Sequence, residues 1–127
     1  MKRICGGLAL AMAMTVASPA WAAPGDMSVA TFLAKVETLK AKGMAALFSP
    51  DVKVLKAEAT AAGVAYSSRL EKERAAGKPS SCPPKPAKVS QNMWLNHLGS
   101  YPAGIRNQIT LHRAMADMFA KTWPCRK

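Results

Sequence analysis

The side chains able to do acid–base or nucleophilic chemistry are few: two histidines, His97 and His112, seven carboxylates and three cysteines, Cys5, Cys82 and Cys125. The carboxylates are Asp26, Glu37, Asp51, Glu58, Glu71, Glu73 and Asp117. No G-x-S-x-G, H-E-x-x-H, phosphate loop or C-x-x-C occurs, so the spacings that build a nucleophile elbow, a zinc protease site or a dithiol couple are missing. A Cys–His nucleophile needs a free thiolate, which oxidised cysteines do not offer. His112, Met115 and Met118 fall at helical spacing, and imidazole with thioether suits copper(I). The same positions, with Phe119, are also the ordinary pattern of a packed apolar face, and packing is the expectation. No catalytic residue, metal ligand or cofactor is expected.

How the cysteines are read depends on the compartment. The N-terminus, MKRICGGLALAMAMTVASPAWAAPG, has Lys2 and Arg3, an apolar run from about Leu8 to Val16, and Ala20-Trp21-Ala22. A basic end, a short apolar core and a small-x-small site describe a secretory signal peptide over residues 1–22, cleaved near Ala22. The apolar run is too short to span a bilayer stably. Cys5 precedes the apolar core and leaves with the leader. Cys82 and Cys125 then travel to an oxidising space, where an even pair is expected as a disulfide. The signal has a bacterial character, so the periplasm is the expected location. No transmembrane segment is expected in the mature chain.

Residues 23–127 are enough for one domain with a modest core and too few for two. The leader removes two positive charges from the chain's formal +11, and the remainder is still strongly basic. Export argues against nucleic acid as a partner. Acidic envelope surfaces or an acidic protein fit the charge better, and a dispersed, solvating cationic surface fits it equally.

The elements that must position these groups are helical. Ser28 can cap a helix carrying Phe32, Leu33, Val36 and Leu39 on one side. Gly43 either ends that helix or weakens it, and Ser49-Pro50-Asp51 makes a stronger boundary with cap, proline at the first position and an acid beside it. From there Val52, Leu55, Ala59, Ala62, Tyr66 and Leu70 mark a long amphipathic helix to about Ala76, stopped by Gly77. Arg69 and Glu73 form an i,i+4 pair along it. The small residues Ala57, Ala59, Ala61, Ala62, Gly63 and Ala65 would let another helix come close, although alanine is also the best helix former. A Pro/Lys-rich loop covers residues 77–89. Ser90 can cap a third helix with Met93, Trp94, Leu95 and Leu98, closed by Gly99-Ser100-Tyr101-Pro102. A fourth places Ile105, Ile109, His112, Met115, Ala116 and Phe119 on one side and ends near Trp123, before Pro124. No alternating strand appears. The expected fold is all-α, a small irregular bundle of about four helices with one disulfide.

Cys82 lies just before the third helix and Cys125 just after the fourth, so their bond would tie the ends of a helical hairpin across 43 residues. On the chain-entropy model, such a closure restricts the unfolded state by about 4 kcal/mol. The segment CPPKPAKVSQNMWLNHLGSYPAGIRNQITLHRAMADMFAKTWPC resembles the C-terminal half of the Tai-type immunity proteins. The resemblance rests on Cys82-Pro83, Leu95, Leu98, Tyr101-Pro102, Ala114 and Trp123-Pro124-Cys125. FLAKVETL is similar to the family's first helix, with Val36 standing where the family carries a further cysteine. The resemblance implies a small helical periplasmic protein that neutralises a cell-wall amidase delivered by type VI secretion.

Two functions from different classes follow. The first is a binding and inhibitory protein of the immunity type, docking into a partner's cleft. Its expected contact residues are Lys78, Lys85, Lys88, Trp94 and Tyr101, because a loop braced by Cys82 loses less entropy on binding. The expected partner is a protein, a secreted cell-wall amidase in particular, with a homodimer as another arrangement. The second is a chaperone-like envelope protein that holds many clients through charge. For Trp94, anchoring a partner and filling the core are equally open; Trp123 and Tyr101 are expected to pack. His97 is expected at a helix end or on the surface.

Overall fold

Among the described residues, a hydroxyl side chain opens each of the four α-helices. The computed structural model describes residues 23–126; the leader expected over residues 1–22 lies outside them. Ser28 accepts from the Thr31 amide at the start of α1 (Val29–Lys42), and Ser49 from the Asp51 amide at the start of α2 (Pro50–Ala75). Ser90 accepts from the Met93 amide before α3 (Gln91–Gly99), and Thr110 from the Arg113 amide before α4 (Leu111–Thr122). Each cap satisfies an amide that has no partner in the first helical turn.

The ends are equally local. Gly43, at φ 57°, stops α1, and residues 43–48 turn as a 3-10 helix before Pro50 opens α2. At the end of α2, Gly77 adopts φ 72°; its amide donates to the Arg74 carbonyl and the Lys78 amide to the Glu73 carbonyl. That pair of bonds is a Schellman cap, which needs a left-handed residue at the glycine position.

α4 supplies the most buried side chains of the four helices, and its most extensive contact is with α2. It contributes Leu111, Ala114, Met115, Met118 and Phe119 to the core, against Val29 and Phe32 of α1, Leu55, Ala62, Tyr66 and Leu70 of α2, and Trp94 and Leu98 of α3. Phe32 meets Trp94 edge to face at 6.1 Å, and Tyr66 and Trp123 pack on Phe119 at 4.8 and 5.1 Å. Each such large side chain, fully buried, is worth about 1.5–3 kcal/mol. Met115 and Phe119 are thus core residues, as the packing reading expects.

The fourth helix begins later than its apolar spacing implies. Residues 103–108 form a 3-10 turn, Ile105 is exposed, and Ile109 is extended. The cause is a non-local pairing. Val29 N–H donates to the Ile109 carbonyl at 2.8 Å and Leu111 N–H to the Met27 carbonyl at 2.9 Å, an antiparallel bridge between Ser28 and Thr110. The bridge sets two helix starts side by side. One step further out, His112 N–H donates to the Gly25 carbonyl and Gly25 N–H to the Glu58 carboxylate at 2.6 Å. Gly25 sits at φ 96°, and a side chain there would overlap the His112 ring.

A braced loop beside an apolar groove

The Cys82–Cys125 disulfide is present, with the Cα atoms 4.9 Å apart, and the Cys82 amide also donates to the Trp123 carbonyl. Residues 76–90 carry no helix, yet they are fastened to α2 at several points. The Tyr66 hydroxyl lies 2.8 Å from the Ser80 hydroxyl and 2.6 Å from that of the fully buried Ser81. Glu73 accepts from both the Ser80 amide and hydroxyl and pairs with Arg69 at 2.9 Å. The Ser80 hydroxyl first, then its amide and Arg69, hold the Glu73 carboxyl below its ordinary value. Arg74 donates to the Pro83 carbonyl, and Lys85 pairs with Glu71 at 3.3 Å. Lys85 is the main reason the Glu71 carboxyl is also held low.

This loop forms one wall of an open groove of about 950 Å³. The other walls are α1 and the exposed side of α2; Phe32, Leu55, Trp94, Met115 and Phe119 reach into its lining from the core. The groove exists because α2 presents small residues toward it. Ala59, Gly63 and Ser67, four residues apart, share one ridge, where larger side chains would fill the space. Among the described residues its charged lining is Lys40 and Lys56, with no carboxylate. Beyond its Val52 end a smaller hollow adds Leu47 and Phe48, and Met44, Leu47 and Phe48 of the 3-10 turn are 80, 69 and 90 % exposed.

The five residues expected as a contact region are placed in three surroundings. Trp94 is 5 % exposed, packs on Phe32 and lines the groove, while its indole N–H is buried without a hydrogen-bond partner. It fills the core and borders the site at once. Lys78, Lys85 and Lys88 are exposed on the loop, where Ala87 and Val89 rather than the lysines line the groove. Tyr101 is turned to another task and does not line the groove.

That task was not visible from spacing. The Tyr101 hydroxyl donates to Asp117 at 2.7 Å, and His97 Nε2 lies 3.0 Å from the same oxygen. Burial first, then the bond to Asp117, raises the Tyr101 hydroxyl far above its ordinary value; burial lowers His97 from 6.5, opposed by Asp117. His97 lies in the last turn of α3, as expected, but half-buried in a polar network rather than on the surface, and Tyr101 is more than a packing residue. Arg106 completes the corner, donating to the Tyr101 and Gly99 carbonyls. Asp117 lies 16 residues from Tyr101, and no short-range signal joins them.

His112 approaches Asp26 at 3.6 Å beside Gly25. Among the described residues, no group of three or more His, Cys, Asp or Glu side chains is gathered to hold a metal ion, and no helix is long and apolar enough to cross a membrane. Fold and site together define an all-α domain, clamped by one disulfide, with an open apolar groove walled by a braced basic loop. No protein-family model, no curated protein and no solved structure matches the chain.

Proposed function

We propose that this is an exported periplasmic binding protein, without catalytic activity of its own, that inhibits a protein partner by stoichiometric docking. A secreted cell-wall amidase is the target implied by the resemblance to Tai-type immunity proteins. The observation that carries the binding reading is the open apolar groove of about 950 Å³ next to a loop already fixed before any partner arrives. A wall that is ordered in advance loses little entropy on association. Exposed apolar surface on a domain this small is otherwise a solubility liability.

The test is titration of the oxidised mature protein into type VI-delivered cell-wall amidases acting on peptidoglycan. Inhibition complete near one equivalent and persistent at high salt is the expected result. Unchanged hydrolysis at large excess overturns the inhibitory reading. A second reading, chaperone-like holding of many clients, is favoured by the exposed Met44, Leu47 and Phe48 on a strongly basic chain. It predicts broad capture of unfolded acidic proteins that fades as salt shortens the screening length.

A further inference from the structure

We propose that the groove receives an amphipathic helix of the protein partner, apolar face down, with acidic residues along its edges beside Lys40 and Lys56. The proposal rests on the binding reading above and names the partner's contact element. The α2 residues that line the groove run from Val52 to Ser68, which at 1.5 Å per residue is about 24 Å, the length of four to five helical turns. The ridge of Ala59, Gly63 and Ser67 lets a helix axis come close, as ridges packing into grooves require.

A helix suits this floor better than an extended segment. The walls are helices and a loop, with no strand edge to pair with, so an extended backbone would leave amides and carbonyls unsatisfied over apolar side chains. A helix satisfies its own. The apolar surface also continues from Val52 to the exposed Leu47 and Phe48, where the end of a docked helix would rest.

Charge selects the kind of helix. Among the described residues the groove lining has two lysines and no carboxylate; Lys40 pairs with Glu37 at 3.2 Å in solvent, and Lys56 enters no ion pair. A second copy would bring the same excess of lysine to the contact and be repelled. A bilayer surface cannot follow a concave groove walled on both sides. An acidic amphipathic helix answers both the shape and the sign.

The probe is a labelled synthetic peptide of about 16 residues with leucines at i, i+3, i+4 and i+7 and glutamates flanking them. Its twin carries lysines in place of the glutamates. Fluorescence anisotropy against the oxidised mature protein is expected to show saturable one-to-one binding of the glutamate peptide, about tenfold or more tighter than the twin. Val64→Asp, on an exposed stretch of the wall, should weaken it about tenfold while thermal unfolding stays unchanged. Lys40→Glu with Lys56→Glu should reverse the preference between the peptides.

Equal binding of the twins, indifference to Val64→Asp, uptake by phosphatidylglycerol vesicles in place of the peptide, or self-association that the groove variants abolish would each overturn the proposal. Amidase inhibition that survives Val64→Asp also overturns it, and leaves the inhibitory function standing. A peptide that seats while no amidase is inhibited supports the groove and removes the immunity-like reading instead.

Discussion

Two connections, one in the wall of the groove and one at the smaller hollow beyond its Val52 end, are held in opposite ways. Residues 76–90 are long and lack helix, yet they are fixed by a covalent bond, a buried serine and two hydrogen bonds from Ser80 to the Glu73 carboxylate. Residues 43–48 are short and turn on their own backbone bonds, with three large apolar side chains left in solvent. The long loop spends its polar and covalent contacts on staying in place. The short turn needs none of these, so its side chains are free to serve a contact. A rigid wall and an exposed apolar tip at one groove call for different perturbations.

Cutting the covalent tie should give the largest effect. Cys82→Ala with Cys125→Ala frees a closure of 43 residues and is expected to cost about 4 kcal/mol in chemical unfolding on the chain-entropy estimate. Hydrogen exchange should rise across residues 78–90 while residues 43–48 keep their rates. If both segments loosen together, the disulfide supports the whole bundle rather than the loop. Tyr66→Phe comes next. It removes the partner of the Ser81 hydroxyl, which is fully buried, and an unsatisfied buried hydroxyl costs about 1–3 kcal/mol. A change under half a kcal/mol would mean that Ser81 finds another partner and the loop is not pinned there.

How far these two regions could be read in advance follows from the range of the interactions. The helix starts at Ser28, Ser49 and Ser90 and the stop at Gly77 depend on neighbours within a few residues, so the letters suffice. The cysteine pair was legible because only two thiols, Cys82 and Cys125, lie outside the expected leader. The start of α4 was not, since Ile109 is drawn out of a helix by strand-like pairing with residues 27–29, some eighty positions earlier. The groove was half legible: the small residues of α2 announce a close approach, but the structure leaves part of that surface uncovered. Trp94 stayed undecided for the same reason, being both core and lining. The polar corner of His97, Tyr101 and Asp117 was hidden, because each residue reads locally as something ordinary.

Acid separates the two connections without a mutation. Glu73 and Glu71 are held low in the fold, so the stability they supply is full above their ordinary value of 4.5 and is lost as pH falls through the folded values. His97 is lowered from 6.5 by burial, so the fold prefers it neutral; its contribution is full above 6.5 and is lost as pH drops below that. Both signs predict that acid destabilises. Unfolding midpoints should decline first just below 6.5, through the corner of α3 and α4, and again below 4.5, through the loop. Glu73→Gln should flatten the second decline and leave the first. Residues 43–48 contain no titratable side chain, and their exchange, corrected for intrinsic rates, should not follow either step.

Among the variants of the two connections, the smallest expected change in stability belongs to Phe48→Ser. Phe48 is 90 % exposed, so replacing it returns almost no buried area to water, and the unfolding free energy should move by less than about 0.5 kcal/mol. A phenylalanine so exposed contributes nothing to the core, and its removal should make the domain more soluble rather than less stable. Its effect should appear in binding, as a weaker hold on an apolar helix whose end rests on Leu47 and Phe48. The two measurements decide what the turn is for. A loss of more than about 1 kcal/mol in urea unfolding would make Phe48 a structural support and erase the contrast with the fastened loop. Unchanged stability with weakened binding would leave one connection built to hold the groove and the other to grip what enters it.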